Sequence, residues 1–103
     1  MDRETAKVMK AYSRKVRKKY PDAKMYLFGS RAKNENWVTS DFDILVVSKG
    51  FSGKGIRERI GSLLRMWTYH RDLDVICLTP DELKRQKGSI LLRVASKGWV
   101  LLS

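Results

Sequence analysis

Tyr26-Leu27-Phe28-Gly29-Ser30-Arg31-Ala32, followed by Ser40-Asp41-Phe42-Asp43 and the apolar run Ile44-Leu45-Val46-Val47, is the stretch that decides the fold. It reads as an apolar strand, a tight Gly-Ser turn and a second strand that opens with two carboxylates. Side chains alternate faces along a strand, so Asp41 and Asp43 share a face with Cα atoms about 6–7 Å apart. Two like charges that close are unfavourable unless a cation sits between them. A hard divalent ion such as Mg²⁺ suits the pair, because it takes oxygen ligands and keeps positions for water and substrate phosphates. Gly29 has no Cβ and lets a phosphate approach the backbone, while Ser30 adds a hydroxyl and an amide donor. A phosphate cradle beside a metal-binding carboxylate pair points to phosphoryl or nucleotidyl transfer.

Upstream of this stretch, Ala6, Met9, Ser13, Val16 and Tyr20 fall at three-four spacing, with Val8 and Tyr12 widening the stripe. They predict a helix from Arg3 to about Tyr20, stopped by Pro21. Lys24 to Phe28 is the first strand, and Ser30 to Lys33 a single helical turn whose N-terminus faces the phosphates. Asn34 to Thr39 is loop, and Asp41 to Val47 a central strand, apolar on both faces beyond Asp43. Gly50-Phe51-Ser52-Gly53-Lys54-Gly55 has a superficial likeness to a phosphate-binding P-loop, but its spacing is wrong and it reads as a flexible connector. Ile56 to about Tyr69 predicts a second helix with Ile56, Ile60, Leu63, Leu64 and Trp67 on one face. Asp72 to Leu78 is a third strand. Thr79, Pro80 and Glu82 then form the start of a capped helix. Ser89 to Lys97 continues as helix ended by Gly98, and Trp99 to Leu102 is a short final strand. This order predicts an α/β (α+β) fold over 1–103 as a single domain, a small mixed sheet covered by helices on one face.

Charge is the unusual part of the composition. Lys and Arg number 22 against 11 Asp and Glu, a net charge of +11. Such a field attracts nucleoside triphosphates, RNA and acidic proteins without choosing among them. Much of it sits on the first helix, at Lys7, Lys10, Arg14, Lys15, Arg17, Lys18 and Lys19, where a solvated face is the plainer reading than a nucleic-acid patch. The apolar runs are too short for a membrane span and the start of the chain has no signal-peptide core, so a soluble cytoplasmic protein is expected. Cys77 is the lone cysteine. An intrachain disulfide and a cysteine zinc cluster are thereby excluded, and a buried inert thiol is expected.

Gly29-Ser30-Arg31-Ala32, then Ser40-Asp41-Phe42-Asp43, resembles the signature of the minimal nucleotidyltransferases, a branch of the DNA polymerase beta superfamily. That family carries a third carboxylate on a later strand, and Leu73-Asp74-Val75-Ile76 fits its pattern. Asp72 and Asp74 lie on the same face of their strand; Asp74, deeper and flanked by apolar residues, is preferred. Asn34 stands where the family often has Gly, and Asn tolerates left-handed backbone better than most residues. The resemblance implies two Mg²⁺ ions, with Mn²⁺ as a substitute, held by Asp41, Asp43 and Asp74. One would bind the triphosphate and the other would lower the pKa of an attacking hydroxyl. Gly29 and Ser30 would hold phosphate. Arg31 is a candidate phosphate contact, with an exposed turn arginine as the alternative.

The implied activity is an enzyme's: transfer of a nucleoside monophosphate, AMP from ATP first among the choices, to an acceptor. No stretch resembles an acceptor-binding domain, which places the acceptor on another protein. The family is commonly paired with helical HEPN-domain proteins as the antitoxin of a toxin–antitoxin system. Two alternatives stand beside this: a catalytically silent module that neutralises its partner by contact, and a basic RNA-binding domain resting on charge alone. His70, the single histidine, reads as a loop residue without a catalytic partner. Trp37, in the loop before Asp41, is the tryptophan best placed to meet a base; Trp67 and Trp99 read as core.

Overall fold

The computed structural model describes residues 1–86 and 99–102, with residues 99–101 given by their backbone. The helix expected from Ser89 to Lys97, and Gly98 as its stop, lie outside the described residues. The first helix, α1 (Arg3–Lys19), begins where the Asp2 carboxylate accepts a 2.7 Å hydrogen bond from the Thr5 amide. It ends with Arg17, Lys18 and Lys19 in its last turn, where cations complement the helix dipole. Its buried stripe is Thr5, Met9, Tyr12, Ser13 and Val16. Ala6, expected on that stripe, is exposed, and Thr5 takes the place because its hydroxyl has a buried partner in Arg31.

Strands β1 (Lys24–Phe28), β2 (Phe42–Val47), β3 (Leu73–Leu78) and β4 (Trp99–Leu101) make a four-stranded sheet among the described residues, in the order β3-β2-β1-β4. β1 is antiparallel to β2 and β4, whereas β2 and β3 are parallel. A parallel pair needs a crossover, supplied by α2 (Ile56–Arg65). Alternation then sorts the strands into two clusters. Met25, Leu27, Phe42, Ile44, Val46, Val75 and Cys77 pack with Met9, Tyr12 and Val16 of α1 and Leu63 of α2. On the other face Phe28, Leu45, Val47 and Leu78 form a smaller cluster, joined by Leu83 of α3 (Pro80–Arg85). The mixed sheet with its helices is the expected architecture, and α1 and α2 share one face of it.

Two expectations need correction. Helix α2 stops at Arg65, and Ile56 (72 % exposed) and Leu64 (42 %) are not on its buried side. Leu63 is buried as expected, but with it go Arg59 and Ser62. Arg59 turns inward because its guanidinium donates to the carbonyls of Lys54 and Cys77 and pairs with Glu82 at 2.5 Å, while Ser62 meets the Tyr20 hydroxyl at 2.7 Å. The connector after β2 is also more built than expected. It holds a 3₁₀ turn, Lys49–Phe51, whose Phe51 is fully buried with its ring 4.8 Å from that of Tyr20. Burying such a side chain contributes roughly 1.5–3 kcal/mol, enough to fix the loop's path. Cys77 is buried, and desolvation pushes its thiol up to about 12.

Candidate active site

The turn after β1 is set by backbone geometry. Gly29 has φ +77°, a left-handed conformation that side chains disfavour. A Cβ built there would lie 2.5 Å from Asp43 Oδ2, because Phe28 and Asp43 are register partners on neighbouring strands. Only glycine allows the turn and that carboxylate to touch. The next residues close one turn through Lys33 N to Gly29 O and Glu35 N to Ser30 O, and the turn exits through Asn34 at φ +60°. Asn34 thus holds the left-handed geometry that Asn tolerates better than most residues.

Arg31 has a role the sequence did not disclose. It is 1 % exposed, and its guanidinium donates to the carbonyls of Val38 and Ser40 and to the Thr5 hydroxyl. It also lies over the Phe42 ring, 3.8 Å from the centroid. The expected phosphate contact thus belongs to a side chain already engaged in tying α1, the turn and the loop before β2 into one piece. Further bonds fix that loop: the Trp37 amide to Ser40 Oγ at 2.9 Å, and Asn36 Nδ2 to Asp2 at 2.7 Å. The hydrogen bond from the Thr5 amide, and then that from Asn36, hold the Asp2 carboxyl down to about 2. Trp37 itself is 79 % exposed on this pinned backbone.

The carboxylates gather at one end of the parallel pair. Asp43 stands opposite Asp74 in register, and the Phe42 amide bonds the Asp72 carbonyl at 2.9 Å, so Asp41 and Asp72 continue the pairing just outside the strands. Neighbouring strands are about 4.8 Å apart. Asp43 is half-buried, whereas Asp41, Asp72 and Asp74 are exposed. A cleft of about 540 Å³ opens here, bounded by Asp41, Asp72 and Asp74 and by Tyr69, His70 and Arg71 of the α2–β3 loop. Tyr69 donates its hydroxyl to Glu4, which ties that loop to α1, and its ring lies 4.4 Å from that of His70. His70, read from the sequence as a loop residue, and Arg71, to which the sequence reading gave no role, both line this cleft. Nothing local marks them, since their neighbourhood arises from strand pairing; the signal was their position just ahead of Asp72 and Asp74.

Among the described residues no three His, Cys, Asp or Glu side chains converge into a ready-made metal cage. Register brings the carboxylates together, and side-chain rotation would have to complete any coordination. The donor set is all oxygen, and the Gly29–Asp43 approach leaves the backbone turn directly beside it. Such a set fits a hard divalent ion.

A small mixed sheet that opens β2 and β3 with carboxylates, beside a Gly-Ser turn, defines the class. The chain belongs to the nucleotidyltransferase domain family, whose model matches residues 9–102. It is also similar to the crystal structure of a Sulfolobus solfataricus protein described only provisionally as a nucleotidyltransferase, with 31% identity and a TM-score of 0.66. That match covers 93% of this chain and 77% of the other. No functionally curated protein matches the chain. Among the described residues no helix is long and apolar enough to cross a membrane.

Proposed function

We propose that this nucleotidyltransferase domain moves AMP from ATP, with Mg²⁺, onto an acceptor carried by a partner protein. The observation that carries the reading is the contact between Gly29 and Asp43, with Asp74 next to Asp43 in register. It joins a phosphate-accepting turn to a row of carboxylates with no atoms to spare. Asp41, Asp43 and Asp74 would hold two Mg²⁺ ions, or Mn²⁺ in their place. Bound there, the ions supply charge neutralisation of the triphosphate and a lowered pKa for the attacking hydroxyl.

The chain's own residues do the rest. The backbone at Gly29 and Ser30 receives the phosphates, with Ser30 Oγ as a further donor. Arg31 acts at one remove, holding the turn and the Ser40 carbonyl so that Asp41 and Asp43 enter β2 at a fixed angle. Asp74 is also placed to accept the acceptor's proton, while Asp72 stands two residues outward. Positioning and charge account for most catalysis of this kind.

The partner is proposed to be a HEPN-domain protein, with the chain serving as its antitoxin. Support comes from the basic face of α1 and from the resemblance of the Gly-Ser and Asp-x-Asp residues. The test is incubation of the chain with α-labelled ATP, Mg²⁺ and the protein encoded beside it. Label should appear on that protein and vanish with Asp74→Asn. Label absent with every triphosphate and partner, despite metal-dependent triphosphate binding, would remove the acceptor assignment.

A further inference from the structure

We propose that Arg71 binds the triphosphate of the nucleotide donor, an assignment that rests on the nucleotidyl-transfer reading of the same cleft. Arg71 lines the cleft with Asp41, Asp72 and Asp74. Its Nε is buried and has no hydrogen-bond partner, although three carboxylates border the same space. Buried N–H groups are nearly always satisfied in native proteins, and one that is not calls for a ligand, an ion or water. The Nε–Nη edge of a guanidinium offers two parallel N–H groups that match two oxygens of one phosphate.

The core fixes this residue. The Arg71 carbonyl accepts a 2.7 Å bond from Trp67 Nε1, and the Trp67 ring packs edge-on against Tyr12 and Phe42, with centroids 4.9 and 5.2 Å away. With the backbone held this way, less of the loop has to be ordered when an anion binds. Charge then selects the ligand. Asp41, Asp72 and Asp74 repel a bare anion, whereas a triphosphate arrives with divalent cations that those carboxylates attract. Arg71 and the carboxylates thus address the two components of a single metal–triphosphate unit.

Calorimetry on the wild type, Arg71→Gln and Arg71→Lys tests the assignment, using Mg²⁺ with non-hydrolysable α,β-methylene-ATP and, separately, Mg²⁺ with inorganic tripolyphosphate. Arg71→Gln should weaken both ligands about 10–100-fold. Arg71→Lys should recover part of that loss, because it keeps the charge without the fork. If the Gln variant does not fold, Lys decides alone: a several-fold loss for both ligands supports the contact, and parity with wild type overturns it. Weakened nucleotide binding with tripolyphosphate unaffected would move the contact to sugar or base and overturn the phosphate assignment. Wild-type binding that is lost in Asp43→Asn yet intact in both Arg71 variants would sink Arg71 alone. A wild type that binds neither ligand would sink this proposal and the functional reading together.

Discussion

The two ends of the parallel pair β2–β3 are built on opposite terms. At the far end, where Val47 meets Leu78, polar groups find partners within the chain. The Ser48 amide bonds the Leu78 carbonyl, Asp22 takes the Ser48 hydroxyl and the Lys49 amide, and Arg59 pairs with Glu82, which also completes the Thr79 capping box. At the near end, Asp41, Asp72 and Asp74 are exposed along one cleft, Gly29 sits in a left-handed turn against Asp43, and Arg71 Nε has no acceptor. The far end serves stability. The near end gathers like charge, which an isolated fold has no reason to do, and this is where the proposed function sits.

Breaking the near end should cost activity rather than stability. Asp74→Asn should lower transfer on the order of 10³-fold with the thermal midpoint held or raised, since one member of a like-charged row is removed. Asp72→Asn should cost only a few-fold. A steady-state comparison of the two variants sharpens the assignment, and the reverse ranking would move the third carboxylate to Asp72.

Breaking the far end should do the opposite. Arg59→Met leaves Glu82 without its cation and two carbonyls without a donor. The Arg59 side chain is 8 % exposed and that of Glu82 25 %, so the loss should be about 2–3 kcal/mol, below that for removing one partner of a fully buried pair because Glu82 keeps some solvent. For a chain this size that is roughly 10–20 °C in thermal midpoint. Activity per folded molecule, measured well below that midpoint, should stay near wild type.

A smaller effect appears in acid. The hydrogen bond from Arg59, and then that from the Thr79 amide, hold the Glu82 carboxyl down from 4.5 to about 2. A carboxylate whose pKa is lower in the folded state contributes stability above its unfolded value and loses it as pH falls through the folded one. Stability tied to Glu82 should therefore be complete above about pH 4.5 and fade toward pH 2. Denaturant melts across that window should show a shallower fall for Glu82→Gln than for wild type; identical slopes would mean the pair carries no acid dependence.

Much of this plan was legible in the sequence because much of it is local. Lys24–Phe28 announced itself as a strand, Thr79 and Glu82 as a cap, and Asn34 as the residue able to hold φ +60°. What stayed hidden depends on partners distant in sequence. Hydrophobic spacing put Ile56 and Leu64 on the buried side of α2, yet Arg59 took that side because Glu82 and the Cys77 carbonyl wait there. Arg31 read as a phosphate contact or an exposed turn arginine, and the exposed reading fails because Thr5, Val38 and Ser40, whose approach no local pattern shows, surround its guanidinium. His70 is the loop residue it looked like, but that it and Arg71 border a cleft with Asp41 follows from strand pairing, which no local pattern shows.

The central claim, that the near end binds a metal–triphosphate through Asp43 and the Gly29 turn, is tested most directly by calorimetric titration of ATP with and without Mg²⁺. The account predicts binding that requires Mg²⁺ in the wild type and is lost in Asp43→Asn, with the variant still folded by its melting curve. Equal ATP affinity in the presence of a chelator, or undiminished metal-dependent binding by Asp43→Asn, would contradict it.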